Sequence, residues 1–203
     1  MSDSASRTGV ILAAGFGSRL AGTHDATDLK PLTPVAGTPL LIRTLNSLET
    51  AGCARAVIVV GYGMETVQAE IRDRYDGPLS LTFAVNEHYD LQNGVSVLAA
   101  EPYLDGGPFL LTMADHVLGD SLMEAARYHQ PPDRGATLLV DYKLDTIFDM
   151  DDATKVRVEN GRPRAIGKTL DDYNCVDTGV FVATDGLMEA LSAVYAAKGD
   201  AAL

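Results

Sequence analysis

Short apolar runs alternate along this chain with stretches whose apolar positions recur every three or four residues. The runs are Gly9–Ala14, Ala56–Val60, Leu79–Val85, Pro108–Met113, Leu138–Tyr142 and Val176–Ala183. Runs of this length, rich in Val, Ile and Leu and closed by Gly or polar residues, predict buried strands. Between them, Thr38 as N-cap with Pro39 at the first helical position opens a helix carrying Leu41, Leu45 and Leu48, and Gly52 closes it. Val67, Ile71 and Tyr75 mark a second helix. Val95, Leu98 and Ala99 mark a third, after the polar loop Asn86–Gly94. Ser121–Tyr128 is a fourth, broken by Pro131-Pro132, and Asp185–Ala197 a last. This alternation predicts an α/β fold, a mostly parallel sheet with right-handed crossovers and helices on both faces. After Ala136 the pattern changes. Lys155–Glu159 alternates, Asn160-Gly161 signals a hairpin turn and Pro163–Gly167 returns, so a small antiparallel extension is expected. No linker or internal repeat interrupts the chain, and residues 1–203 read as one domain with a flexible tail at 1–7.

The first apolar run breaks at Leu12-Ala13-Ala14-Gly15-Phe16-Gly17-Ser18-Arg19-Leu20, and Lys30-Pro31-Leu32 follows. Glycines let a backbone approach a ligand and turn several N–H groups the same way, which makes an anion cradle. A helix N-terminus behind it adds positive dipole. With the cations Arg19 and Lys30 nearby, the stretch reads as a site for a nucleoside triphosphate; the plainer alternative is a tight strand-to-helix turn. Leu20 stands where a dinucleotide fingerprint places its third glycine, and the Gly-x4-Gly-Lys-Ser/Thr pattern is absent. Ligands of such sheets gather at the carboxyl ends of the strands. The glycine loop, Gly61-Tyr62, Asn86–Gly94 and Asp115 are therefore expected on one rim.

Charge changes the picture. Against 16 Lys and Arg stand 28 Asp and Glu, a net charge of −12. That argues against nucleic acid and anionic membrane surfaces as partners. A polyanionic ligand then needs cations gathered locally, and Arg19, Lys30, Lys155 and Lys168 are the candidates. No apolar run approaches the ~20 residues of a membrane span, and the first residues carry no apolar leader, so a cytoplasmic protein is expected. Cys53 and Cys175, far apart and each beside an apolar stretch, read as buried reduced thiols.

Asp115 ends the strand Phe109–Met113 beyond Ala114. A carboxylate on the rim of a triphosphate loop is well placed to hold Mg²⁺; otherwise it caps the next turn. His116 touches phosphate, supports a neighbour or simply packs. Lys155 and Lys168 flank the expected hairpin and hold an acceptor phosphate as point charges, unless both face solvent. Asp177 interrupts an apolar strand, where a carboxylate is paired or bound to ligand hydroxyls. Asn93, with Gly94 and Ser96, either caps its helix or touches the nucleotide. Asp145, Asp149, Asp151 and Asp152 read as a solvated loop, a metal cluster being the minority alternative. No Ser-His-Asp or Cys-His arrangement is evident. None is needed where the attacking group is a phosphate already ionised near neutral pH, its second pKa being about 6.

In order along nearly the whole chain, Leu12–Leu20 with Lys30-Pro31-Leu32, Leu111–Val117, Ala153–Glu159, Ile166-Gly167-Lys168 with Leu170, and Cys175–Gly179 resemble the CTP:inositol-1-phosphate cytidylyltransferase family. The glycine loop marks the wider nucleotidyltransferase superfamily. The later blocks point to this subgroup, whose relatives use phosphocholine or 2-aminoethylphosphonate. The resemblance implies a Rossmann-like nucleotidyltransferase fold using Mg²⁺, in which inositol-1-phosphate attacks the α-phosphorus of CTP to give CDP-inositol and pyrophosphate. It implies that the backbone of Leu12, Ala13, Ala14 and Gly15 holds base and ribose. Gly17, Ser18, Arg19 and Lys30 hold phosphates, Asp115 the metal, and Lys168 and Asp177 the acceptor. In the family this domain is sometimes fused to a membrane-bound transferase, an implied downstream partner that consumes the CDP-alcohol. Two departures stand out. The spacer Ala21–Leu29 is longer than usual, and is expected to be mobile until nucleotide binds. A second metal-binding Asp on a further strand has no match before Leu203, so either the C-terminal end of the domain is truncated, which is the expectation, or that ligand is missing. Other acceptors (phosphocholine, 2-aminoethylphosphonate, a sugar 1-phosphate) remain alternatives, Tyr89 and Tyr173 being candidates for a cage around a quaternary amine. A non-catalytic nucleotide-binding module is the reading from another class.

Overall fold

A computed structural model describes residues 7–15 and 29–203. The expected glycine-loop residues Gly17, Ser18 and Arg19, and all of the spacer Ala21–Leu29 except Leu29, lie outside the described residues.

Four strands build the parallel half: β1 (Thr8–Ala13), β4 (Arg55–Val60), β5 (Ser80–Val85) and β6 (Phe109–Met113). They lie in the order β5-β4-β1-β6, every pair parallel. β1 is buried along its whole length, which is why its sequence runs apolar without alternation: in a covered parallel sheet both faces are core. Successive side chains nevertheless go to opposite layers. Ile11 and Ala13 pack with α1 (Leu40–Thr50), α2 (Met64–Arg74) and α4 (Asp120–Tyr128) through Leu41, Leu45, Ile71 and Met123. Val10, Leu12 and Ala14 pack with α3 (Asn93–Ala99) and α5 (Asp185–Lys198) through Val95, Met188 and Leu191.

The other half is antiparallel and hangs on β10 (Cys175–Ala183). Phe181–Ala183 pair with Leu111–Phe109 of β6. Along its other edge β10 pairs with β7 (Ala136–Asp141). Its first residues, Cys175 and Val176, pair with β8 (Lys155–Glu159), which folds back on β9 (Arg162–Gly167). The turn between these two is Asn160-Gly161, both at positive φ as a two-residue hairpin demands. The parallel core with an antiparallel extension is thus as the pattern predicts, and element boundaries agree within two residues for most elements.

The start of α1 differs. Thr38 and Pro39 form β3, a two-residue ladder with β2 (Pro34–Val35), so Thr38 is not an N-cap and α1 begins at Leu40. Pro39 occupies the cap position and makes no side-chain bond there. The close of α1 is as expected, with Gly52 at φ +77 directly after the C-cap. Cys53 and Cys175 are both free and buried. Burial pushes the Cys53 thiol up to about 12, so it stays protonated and unreactive at neutral pH. No helix of the described residues is long and apolar enough to cross a membrane.

Candidate active site

The carboxyl ends of β1 and β6 open into a cleft of about 710 Å³, a size typical of small-molecule sites. Its position follows from the sheet. β10 runs antiparallel to β6 and outlasts it, so Gly179 comes level with the last residue of β6 and Asp177 lies past it, where Ala114, Asp115 and His116 emerge. The register shift between Asp177 and Phe181 gives β10 two more residues there than β7 and re-aims its side chains, the usual role of a bulge beside a site. Gly179 sits at φ +72 with the His116 ring 3.1 Å from where a Cβ would be. Any larger residue would be strained and would displace the ring.

The wall on the parallel side is Leu12, Ala13, Ala14 and Gly15. It is held by backbone bonds to the neighbouring strand ends: Ala114 N–H donates to the Leu12 carbonyl and Tyr62 N–H to the Ala14 carbonyl, each at 3.0 Å. Asn93 and Ser96, on the first turns of α3, and Tyr89 border the same space. Ser96 Oγ accepts from Asn86 Nδ2 at 2.9 Å, a buried bond at the end of β5 that fixes the serine's orientation.

Two ammonium–carboxylate pairs face the cleft. Lys30, on the short 3₁₀ turn Lys30–Leu32, is bonded to Asp115 Oδ2, and His116 Nδ1 meets Asp115 Oδ1 at 2.8 Å. The His116 hydrogen bond, joined by the Lys30 ammonium, holds the Asp115 carboxyl well below the usual carboxylate range against a burial that would raise it. Across the cleft, Lys168 Nζ donates to Asp152 Oδ1 at 2.5 Å. Asp177 is half-buried. Burial pushes its carboxyl above the usual range, and the Gly179 amide donating to Oδ1 at 2.6 Å together with nearby His116 offsets only part of this.

Of the residues singled out from the sequence, the cleft brings together Leu12, Ala13, Ala14, Gly15, Lys30, Asn93, Ser96, Asp115, His116, Lys168 and Asp177. Two stand apart. Gly94 is buried against the carbonyl of Ala201, 2.6 Å from where a Cβ would be, so it serves the packing of α3. Lys155 is buried, and its ammonium is spent on the Lys168 carbonyl at 2.6 Å and not on the cleft. Asn93 does not cap α3, since Gln92 holds that position; its Oδ1 accepts from Leu203 N at 2.9 Å.

The sequence pattern places Asp149 and Asp152 in a solvated loop, yet both line the cleft. The hairpin register holds the signal that finds them. Lys155 lies opposite Gly167, so the residues just before β8 must meet the residue just after β9, which is Lys168. Tyr173, a candidate cage residue, instead lies under Lys155, with Nζ 5.8 Å from its ring centroid.

The model of the MobA-like NTP transferase domain matches residues 9–143. The bifunctional IPC transferase and DIPP synthases of Archaeoglobus fulgidus and Aquifex aeolicus are 34% and 35% identical to the chain over 89% and 90% of it. The chain spans only 33% and 40% of their lengths. The 2-aminoethylphosphonate cytidylyltransferase of Lancefieldella rimae is 32% identical over 87% of the chain and 67% of its own length. Among solved structures, the inositol-1-phosphate CTP transferase from T. maritima superposes with a TM-score of 0.79 at 26% identity, covering 98% of this chain and 84% of that one. Sequence, sheet order and cleft agree: the chain belongs to the MobA-like NTP transferase family.

Proposed function

We propose that the chain is a cytidylyltransferase that moves CMP from CTP to inositol-1-phosphate, giving CDP-inositol and pyrophosphate. The observation that carries this reading is the pair of ammonium groups, Lys30 and Lys168, facing one cleft from opposite halves of the fold, each matched to an aspartate. In an acidic protein such an arrangement suits two phosphorylated substrates brought together. The likeness to the T. maritima inositol-1-phosphate CTP transferase and to the IPC transferase relatives supports the choice of donor and acceptor.

In this reading the Leu12–Gly15 wall, Asn93 and Ser96 hold the nucleoside. Lys30 exchanges Asp115 for the donor phosphates. Lys168 exchanges Asp152 for the acceptor phosphate, and Asp177 accepts hydrogen bonds from acceptor hydroxyls. An oxygen of the acceptor phosphate forms a bond to the α-phosphorus of CTP while the bond from that phosphorus to the bridging oxygen breaks, and pyrophosphate leaves with the electron pair. The acceptor is ionised at neutral pH, so no general base is required. The enzyme's contribution is alignment and charge neutralisation.

The donor set at Asp115 fits a Mg²⁺ ion. Among the described residues no group of three or more His, Cys, Asp or Glu is arranged to hold a metal by itself. Mg²⁺ commonly takes one or two carboxylates and completes its shell with phosphate oxygens and water. Asp115, held ionised, would supply that carboxylate. Bound Mg²⁺ would neutralise charge building on the donor phosphates.

The test is pyrophosphate release with CTP, UTP, GTP and ATP, each against inositol-1-phosphate, 2-aminoethylphosphonate, phosphocholine and glucose-1-phosphate. Release is expected with CTP and inositol-1-phosphate at a kcat/KM at least tenfold above any other pair. A higher value with 2-aminoethylphosphonate would instead assign Asp149 and Asp152 to an acceptor amine. Asp177 gives the reaction a pH signature. Its carboxyl is raised, so it gains its proton at a higher pH than an ordinary aspartate and loses hydroxyl-accepting capacity on acidification. The acceptor KM is expected to climb as pH falls through that raised value, with the CTP KM steady. Asp177→Asn should abolish this limb; a limb that survives the substitution assigns the titration elsewhere.

A further inference from the structure

Lys155 is a buried lysine that makes no contact with the cleft. Only 8% of its surface is exposed, and taking an ammonium out of water is costly unless its donors are satisfied. Its satisfaction is specific. Nζ donates to the Lys168 backbone carbonyl at 2.6 Å and lies 5.8 Å from the centre of the Tyr173 ring. At that point the chain leaves β9, whose ladder ends with Gly167 opposite Lys155. Removing the Lys155 donor would take this bond from the Lys168 carbonyl and loosen the backbone there. The side chain of the same Lys168 is tied at its other end, Nζ to Asp152 Oδ1 at 2.5 Å. Lys168 is thus gripped at both its backbone and its ammonium, and the grips come from residues three apart on the approach to β8.

We propose that Lys155 is a positioning residue for the reaction: it fixes the backbone of Lys168 so that the Lys168 ammonium meets the acceptor phosphate in register. It acts on the acceptor and not on the nucleotide, because the wall that borders the nucleotide belongs to β1 and α3, and Lys155 touches neither. The proposal rests on Lys168 serving the acceptor phosphate. It predicts a specific split. Lys155→Met, which keeps length and apolar stem, raises the acceptor KM roughly tenfold, since small misplacements of a charge-bearing group cost one to two orders of magnitude. The CTP KM stays within about twofold. A merely structural lysine would lower the folded, active fraction and leave both KM values unchanged.

The closing experiment combines kinetics with chemistry. A double-mutant cycle of Lys155→Met and Lys168→Met is expected to be non-additive, the double variant matching Lys168→Met alone within about twofold. In parallel, acetylation of Lys168 is followed by peptide mass spectrometry in the folded protein. Its rate is expected to rise at least threefold in Lys155→Met. Lys155→Gln, shorter and still polar, replaces Lys155→Met where the latter does not fold, with the same expectations. Additive effects, equal loss for both substrates, or an unchanged Lys168 rate would overturn the proposal. The labelling is independent of substrate choice, so an inactive wild type with inositol-1-phosphate would reject the acceptor assignment while leaving the mount of Lys168 to be decided by its own readout.

Discussion

Asp115→Asn is expected to lower pyrophosphate release by roughly a thousandfold, about 4 kcal/mol of transition-state stabilisation, with little change in thermal stability. The substitution keeps shape and removes charge. In the resting protein that charge pairs with both Lys30 and His116. Without it, Lys30 loses the partner that holds it at the cleft, and the carboxylate that would share a divalent ion is gone. Removing a single preorganised electrostatic group commonly costs 10²–10³-fold, and here the group faces a lysine and, in the proposed reaction, would also share the metal. The side chain is about one-third exposed, so solvent compensates the fold for its loss far better than it compensates the reaction. Steady-state release at saturating CTP and acceptor, alongside a melting curve, makes the check. Wild-type turnover in the variant would remove Asp115 from the chemistry altogether.

Lys168→Met carries the second large expectation, a fall of about a hundredfold in kcat/KM for the acceptor. The side chain is 41% exposed and its ammonium is paired with Asp152, an interaction that screening by water makes weak. A dianionic phosphate at the same place competes well against one carboxylate, so the pair holds the lysine in position without withholding it from substrate. Removing Lys168 also takes away the ammonium that faces Asp152, so the repulsion between this carboxylate and the incoming phosphate adds to the lost attraction. Asp152→Asn in the Lys168→Met background should therefore recover part of the loss. No recovery would show that Asp152 has no electrostatic view of the acceptor.

The sequence made the parallel half legible because local pattern decides it. Strands buried on both faces are apolar throughout, helices repeat every three to four residues, and Asp115 stands out as a carboxylate at the end of such a strand. The antiparallel half was less legible because partners set it at long range. Nothing in 175–183 alone announces the shifted register that turns Asp177 and Gly179 towards His116. Lys155 and Lys168 look alike in sequence, yet pairing with β10 and β9 buries one ammonium under Tyr173 and leaves the other at the cleft. Asp152 is read as solvent-facing until the hairpin is closed on paper, after which its meeting with Lys168 follows. Thr38 shows the smaller version of the same effect, a good N-cap residue drawn instead into a two-residue ladder.

β10 is shared by β6 and β8 on one edge and by β7 on the other. Of its nine residues, Cys175 and Val176 pair with the hairpin β8–β9 and Asp177 N–H donates to the Thr154 carbonyl just before it, while Phe181–Ala183 are bound into the parallel half. The segment between β7 and β10 is therefore an appendage with one narrow attachment, and it bears Asp149, Asp152 and Lys168. In the proposed reaction that appendage would carry the acceptor side of the cleft, while the Leu12–Gly15 wall proposed for the nucleoside rests on the parallel half, so a change of acceptor could be made in the appendage without moving a parallel strand.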